Sequence, residues 1–155
     1  MSIAFVKEPE GGEAFEDLPD RPISPHTNFV TPEGLALMEA ELERLHAEHA
    51  AALEADDKAA LARTGRDLRY WSARRASAQV ISTPPDTAEV HFGSTVTIER
   101  EDGRRQTWRI VGEDEADPAH GTLSYVSPLA QALTGKRVGD VVQAGASEAE
   151  VVGIG

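Results

Sequence analysis

At 155 residues, with 40% apolar but only 5% aromatic side chains, the chain has material for one or two small domains with modest cores. A net charge of −12 argues against free nucleic acid as the principal partner, because binding phosphate requires clustered Lys and Arg; a basic protein surface suits it better. The absence of Cys excludes a disulfide framework, a thiolate zinc site and a cysteine nucleophile, and no apolar run approaches the roughly 18 residues that span a bilayer, so a soluble, cytoplasmic protein is expected.

Residues 1–30 read as an acidic tail without fixed structure. Up to Pro25 six carboxylates stand against two basic side chains, interrupted by Pro9, Pro19, Pro22, Pro25 and the Gly11-Gly12 pair. Ile3, Phe5 and Val6 give it a candidate docking segment, and Ile23 to Phe29 (ISPHTNF) is placed to lie against the next element.

Residues 31–82 predict an antiparallel helical hairpin. Thr31 is a good N-cap, Pro32 suits the first helical position, and Glu33 puts a carboxylate at the positive end of the helix dipole. Leu35, Met38, Leu42, Leu45, His49 and Ala52 alternate spacings of three and four, which is the seam of a coiled coil. Asp56 and Asp57 then end the helix. The spacing predicts a second helix from Lys58 to Ile81, with a weaker seam of Leu61, Thr64, Leu68, Trp71, Arg75 and Ala78, and Gly65 as a point where it could bend. Charge supports the pairing: the first helix sets six carboxylates against Arg44, the second sets six cations against Asp67.

Residues 83–155 change period. Thr83, Pro84, Pro85 and Asp86 make a stiff connector, after which Val96 and Ile98 alternate with polar residues, 101–104 turn, and Thr107 to Val111 return as a strand. Leu123 to Val126 predict another strand. Ser127 and Pro128 open a short helix that runs through Leu133 to Gly135, and Val141 to Gln143 with Glu150 to Ile154 close the chain as a hairpin. The fold class expected is α+β: a helical hairpin, then a small antiparallel sheet carrying one short helix.

Four segments occur in order over about fifty residues: FGSTVTIE from Phe92, IVGEDEAD from Ile110, SPLAQAL from Ser127, and GKRVGD from Gly135. This series resembles the C-terminal domain of the Gre-type bacterial transcription factors. The resemblance implies an FK506-binding-protein-like C-terminal domain and a protein, likened to a monomer, that docks on core RNA polymerase at the rim of its secondary channel. It also implies, residue by residue, a contact formed by Asp114, Ser127, Pro128 and Leu129, where an apolar turn beside carboxylates suits a small interface with a charged rim. Leu129 and Leu133 can equally serve only to pack the helix on its sheet, and for Leu133 packing is the preferred reading.

In Gre factors the hairpin tip carries acidic residues that help bind magnesium for cleavage of backtracked RNA. Here the tip pair is Asp56 and Asp57, but the family's Gly-Asp-x-x-Glu-Asn type of motif is absent. Counted from Ala78-Gln79-Val80-Ile81, which resembles the family's AQVI, each arm lacks roughly twelve residues, about 18 Å of reach. Asp56 and Asp57 thus read as a bend that caps the second helix, as a shortened tip with a regulatory contact, or as a cleavage-competent tip. Glu113, Asp114, Glu115 and Asp117 lack the ligand spacing of an EF-hand, and His46 and His49 are three apart with only Glu39 and Glu43 on the same face, so no metal site and no cofactor are expected. Trp108 and Tyr125 read as sheet packing. The function expected is therefore a polymerase accessory factor and not an enzyme, one that modulates transcription without cleavage and without sequence-specific contact to DNA. A Rnk-like regulator that competes with Gre factors, a cleavage-competent Gre factor and a prolyl isomerase are the alternatives.

Overall fold

The computed structural model describes residues 18–155; the docking segment read at Ile3, Phe5 and Val6 lies outside them. Helix α1 spans Pro32–Ala55 and starts where its caps predict: the N–H of Gly34 donates to the Thr31 hydroxyl at 2.9 Å. Its seam is buried at heptad intervals, with Met38, Leu45 and Ala52 enclosed and Leu35, Leu42 and His49 half-buried between them. The chain reverses at Asp56, whose φ of 51° is the left-handed conformation that Asp tolerates better than most residues, and helix α2 follows over Lys58–Ser77. Three cross-helix contacts fix the direction. Glu39 meets Arg75 at 2.9 Å, whereas nine to ten residues further along α1 Glu48 meets Arg63 at 3.8 Å and the His49 ring meets the Thr64 hydroxyl at 2.7 Å, partners that lie earlier in α2. The pair is an antiparallel helical hairpin.

Two details of α2 differ from expectation. The helix stops at Ser77 rather than Ile81, because Gln79–Val80 forms strand β2 beside β1 (Phe29–Val30) in parallel register. Backbone bonds from Gln79 N to Asn28 O and from Ile81 N to Val30 O, both 2.9 Å, take the donors that a longer helix would have used. The seam also rotates at its end: Arg74 is fully buried while Arg75, placed in the seam by spacing, is exposed and paired with Glu39. Gly65 lies inside an unbroken helix.

The β-rich part is a five-stranded sheet of β3 (Thr95–Arg100), β4 (Arg105–Val111), β5 (Thr122–Ser124), β6 (Val141–Ala144) and β7 (Ser147–Ile154), in the order β5-β4-β3-β7-β6. Three of its four pairings are antiparallel, but β4 and β5 are parallel, so the sheet is mixed and not purely antiparallel. The reason lies between them: the loop 112–121, with a one-turn 3-10 helix at Pro118–His120, carries the chain back to the level of Arg109 before β5 begins. Helix α3 (Pro128–Leu133) covers the sheet, burying Ala130 and Leu133 against Val96, Ile98, Ile110, Val142 and Val151. Leu133 is thus a core residue.

The described residues group into two compact units. One joins the residues up to Pro25 to Met38–Ser77; the other joins His26–Leu37 to Ala78–Gly155. The second unit therefore takes β1 and the first turn of α1 along with the sheet.

Candidate functional site

The parallel pairing of β4 and β5 assembles the candidate contact edge. Val111 lies opposite Ser124, and the N–H of Tyr125 donates to Val111 O at 2.9 Å, so the two loops that leave these strands emerge side by side. One carries Asp114, half-exposed; the other carries Ser127, Pro128 and Leu129. Ser127 caps α3, its hydroxyl accepting from Ala130 N at 3.3 Å, and Pro128 occupies the first turn with its ring exposed. Leu129 is half-buried, one side packed on the core cluster. The loops that carry these four residues, drawn from two separate motifs, thus leave adjacent strand ends. The sequence alone gives no parallel register, so their proximity could not be derived from it.

Beneath this edge is an arrangement that sequence reasoning missed. Glu115, read only as part of an acidic loop, turns inward and accepts three hydrogen bonds: from Thr31 N at 2.8 Å, from the Thr31 hydroxyl at 2.5 Å and from Gly112 N at 3.1 Å. Thr31 is fully buried and in turn accepts from Gly34, so a carboxylate of the 112–117 loop closes the N-terminus of α1, where the helix dipole favours negative charge. The glycines follow from the crowding. A Cβ on Gly34 would sit 2.3 Å from Glu115 Oε2, and one on Gly112 would sit 2.3 Å from the carbonyl oxygen of Phe29. The available signal was the small residue three positions after Thr31, which reads as a weak helix former until its neighbour is known.

A second bridge lies close by. Arg109 donates to Glu33 at 3.1 Å and to Gly93 O at 3.1 Å. Glu33 has its pKa lowered, first by a backbone N–H at the helix start and then by the Arg109 guanidinium. An aromatic trio completes the anchorage: Phe29, Phe92 and Tyr125 have ring centroids 5.4–6.0 Å apart in tilted and edge-on geometry, and the Tyr125 hydroxyl donates to Thr27 O at 2.5 Å. Tyr125 therefore does pack on the sheet, with Phe29 and Phe92 as its ring partners, while Trp108 packs elsewhere on the core with its Nε1 enclosed.

The family model described as "Transcription elongation factor, GreA/GreB, C-term" matches residues 85–154. A transcription elongation factor GreB of Xanthomonas axonopodis pv. citri (strain 306) is 38% identical over 139 residues, which cover 77% of this chain and 83% of that protein. The chain belongs to the GreA/GreB family of transcription elongation factors. A GreA of Chloroflexus aggregans is 39% identical over 133 residues, 71% of this chain and 83% of that protein. Among solved structures, the Gfh1 protein of Thermus thermophilus aligns over 84% of this chain and 99% of its own at 22% identity, with a TM-score of 0.41. The stretch matched by the GreA/GreB model includes Asp114 and Ser127 to Leu129 and excludes Asp56 and Asp57.

At the hairpin bend the two acidic side chains do different things. Asp57 caps α2, its Oδ1 accepting from Ala60 N at 3.1 Å. Asp56 is exposed and stands 3.4 Å from the Lys58 ammonium. Both carboxylates thus have structural engagements within the bend. Among the described residues no group of three His, Asp or Glu side chains is placed to hold a metal ion, and His49 of the candidate pair turns into the seam toward Thr64 while His46 stays exposed.

Proposed function

We propose that the protein binds core RNA polymerase at the rim of its secondary channel through Asp114, Ser127, Pro128 and Leu129, and presents the short hairpin to the channel without stimulating transcript cleavage. The observation that carries this reading is the parallel β4–β5 register, from which the two motif-bearing loops of a GreA/GreB protein leave at adjacent strand ends. Pro128 supplies an exposed apolar surface and Asp114 a half-exposed charge, the composition of a small interface with a polar rim. Hairpin length supports the rest. The 24 residues of α1 and 20 of α2 give arms of about 36 and 30 Å. At the bend Asp57 is moreover engaged as a helix cap and Asp56 stands beside the Lys58 ammonium.

Such a factor occupies the site that a cleavage factor would use, and so acts as a competitor or modulator in the manner of a Rnk-like regulator. The test is a core-polymerase pull-down with the wild type and Leu129→Glu, joined to a transcript-cleavage assay on stalled elongation complexes. Retention of the wild type, loss of at least about ten-fold in affinity for Leu129→Glu, and suppression of cleavage by an added Gre factor support the proposal. Intrinsic cleavage stimulation that disappears in Asp56→Ala/Asp57→Ala would overturn the non-cleaving part, and failure to bind core polymerase would overturn all of it.

A further inference from the structure

Residues 18–25, Leu-Pro-Asp-Arg-Pro-Ile-Ser-Pro, lie along α2 with neither helix nor strand of their own. Their burial has a period of three: Leu18, Arg21 and Ser24 are half-buried, while Pro19, Pro22 and Pro25, also three apart, are exposed. That is the repeat of a polyproline-type extended chain, which turns one residue in three toward whatever it packs on. The face it meets is specific. Arg69 donates to Asp20 at 2.5 Å and to Leu18 O at 3.3 Å, and Arg21 pairs with Asp67 at 3.3 Å. The Arg21 guanidinium also stands 3.9 Å over the ring of Tyr70, which is itself edge-on to Trp71 at 5.1 Å.

We propose that the α2 face formed by Asp67, Arg69, Tyr70 and Trp71 is a recognition surface for an extended, proline-spaced polypeptide bearing an adjacent acid and arginine, and that residues 18–25 fill it in cis as a detachable strap. Tyr70 reads the Arg21 guanidinium through its ring face while Arg69 and Asp67 read Asp20 and Arg21 by charge, and the outward prolines stiffen the segment and so lower the entropy lost on docking. Detachment follows from exposure. The Arg69–Asp20 side chains are 51% and 72% exposed, the regime in which ion pairs hold least and salt screens most. The five non-proline residues meanwhile regain backbone freedom when the strap lifts.

The experiment titrates the synthetic octapeptide of residues 18–25 into the full chain and into full-length Asp20→Lys/Arg21→Glu, following amide resonances of residues 66–71. The charge-reversed strap should vacate the face, so the peptide binds that variant at least about ten-fold more tightly than the wild type, whose own strap competes. Adding Tyr70→Ala to the variant should abolish the shifts. Equal binding to both chains, or no shift in either, overturns the proposal. An independent measurement uses the unaltered protein: raising salt from about 0.05 M to 1 M should diminish the ring-current shift that Tyr70 imposes on the Arg21 side-chain protons while α2 amides keep their shifts, and an unchanged Arg21 shift counts against a detachable strap.

Discussion

Glu115→Ala tests whether a loop carboxylate holds the start of α1. The substitution removes the acceptor for Thr31 N, the Thr31 hydroxyl and Gly112 N. The hydroxyl can rotate to another acceptor, but the two backbone N–H groups are fixed, and Thr31 and Gly112 are both buried. Each orphaned donor costs about 1–3 kcal/mol. Water entering the space vacated by the carboxylate recovers part of this, leaving an expected loss of about 2–4 kcal/mol. Glu115→Gln keeps the shape and one acceptor oxygen for the two N–H groups, so it should lose only about 1 kcal/mol. The assay is denaturant unfolding in a Trp71→Phe background, where Trp108 alone reports on the sheet, supported by hydrogen exchange at Thr31 and Gly112. A Glu115→Ala variant within about 0.5 kcal/mol of its parent, with both amides still protected, would refute the reasoning.

Further expectations concern neighbouring contacts. Gly34→Ala should displace the same carboxylate, so its destabilisation and that of Glu115→Ala should fall well short of additive when unfolding of the double variant is compared with the singles. Phe29→Ala removes one ring of the aromatic trio from a half-buried position and should cost the sheet unit about 2 kcal/mol in the same unfolding assay. Asp57→Ala should lower hairpin stability by about 1 kcal/mol, seen as earlier loss of helical circular dichroism on heating. Folding lowers the pKa of Glu33, so its stabilising contribution is complete above the ordinary glutamate range and is lost as pH falls through the folded value. The stability difference between wild type and Glu33→Gln should accordingly shrink on acidification, and a difference that grows would contradict the sign.

Local signals were legible in the chain where one short stretch decides the outcome. Thr31 and Ser127 cap their helices, Met38, Leu45 and Ala52 form the buried seam, and Val96 and Ile98 alternate into the core, each within a window of a few residues. Two-residue strands such as Phe29–Val30 and Gln79–Val80 show no period at all, so the spacing of α2 extends a helix through Gln79. The parallel register of β5 and the inward turn of Glu115 are settled by partners roughly a dozen and 84 positions away, with no trace in local composition. Of the candidate edge, Asp114, Ser127, Pro128 and Leu129 were named by motif, whereas the strand pairing that gathers them emerged only with the fold.

The parallel union of Phe29–Val30 with Gln79–Val80 makes the helical hairpin an insertion whose two ends are sewn together at their root. Arms of any matched length could leave through that seam and return to it without altering the stitches, which makes reach a variable that selection or engineering can adjust by whole turns. The same stitching warns against cutting the chain at residue 83 to isolate the sheet. Such a fragment would shed Phe29 from its aromatic neighbours and deprive Glu115 of Thr31, and would have to fold around a gap.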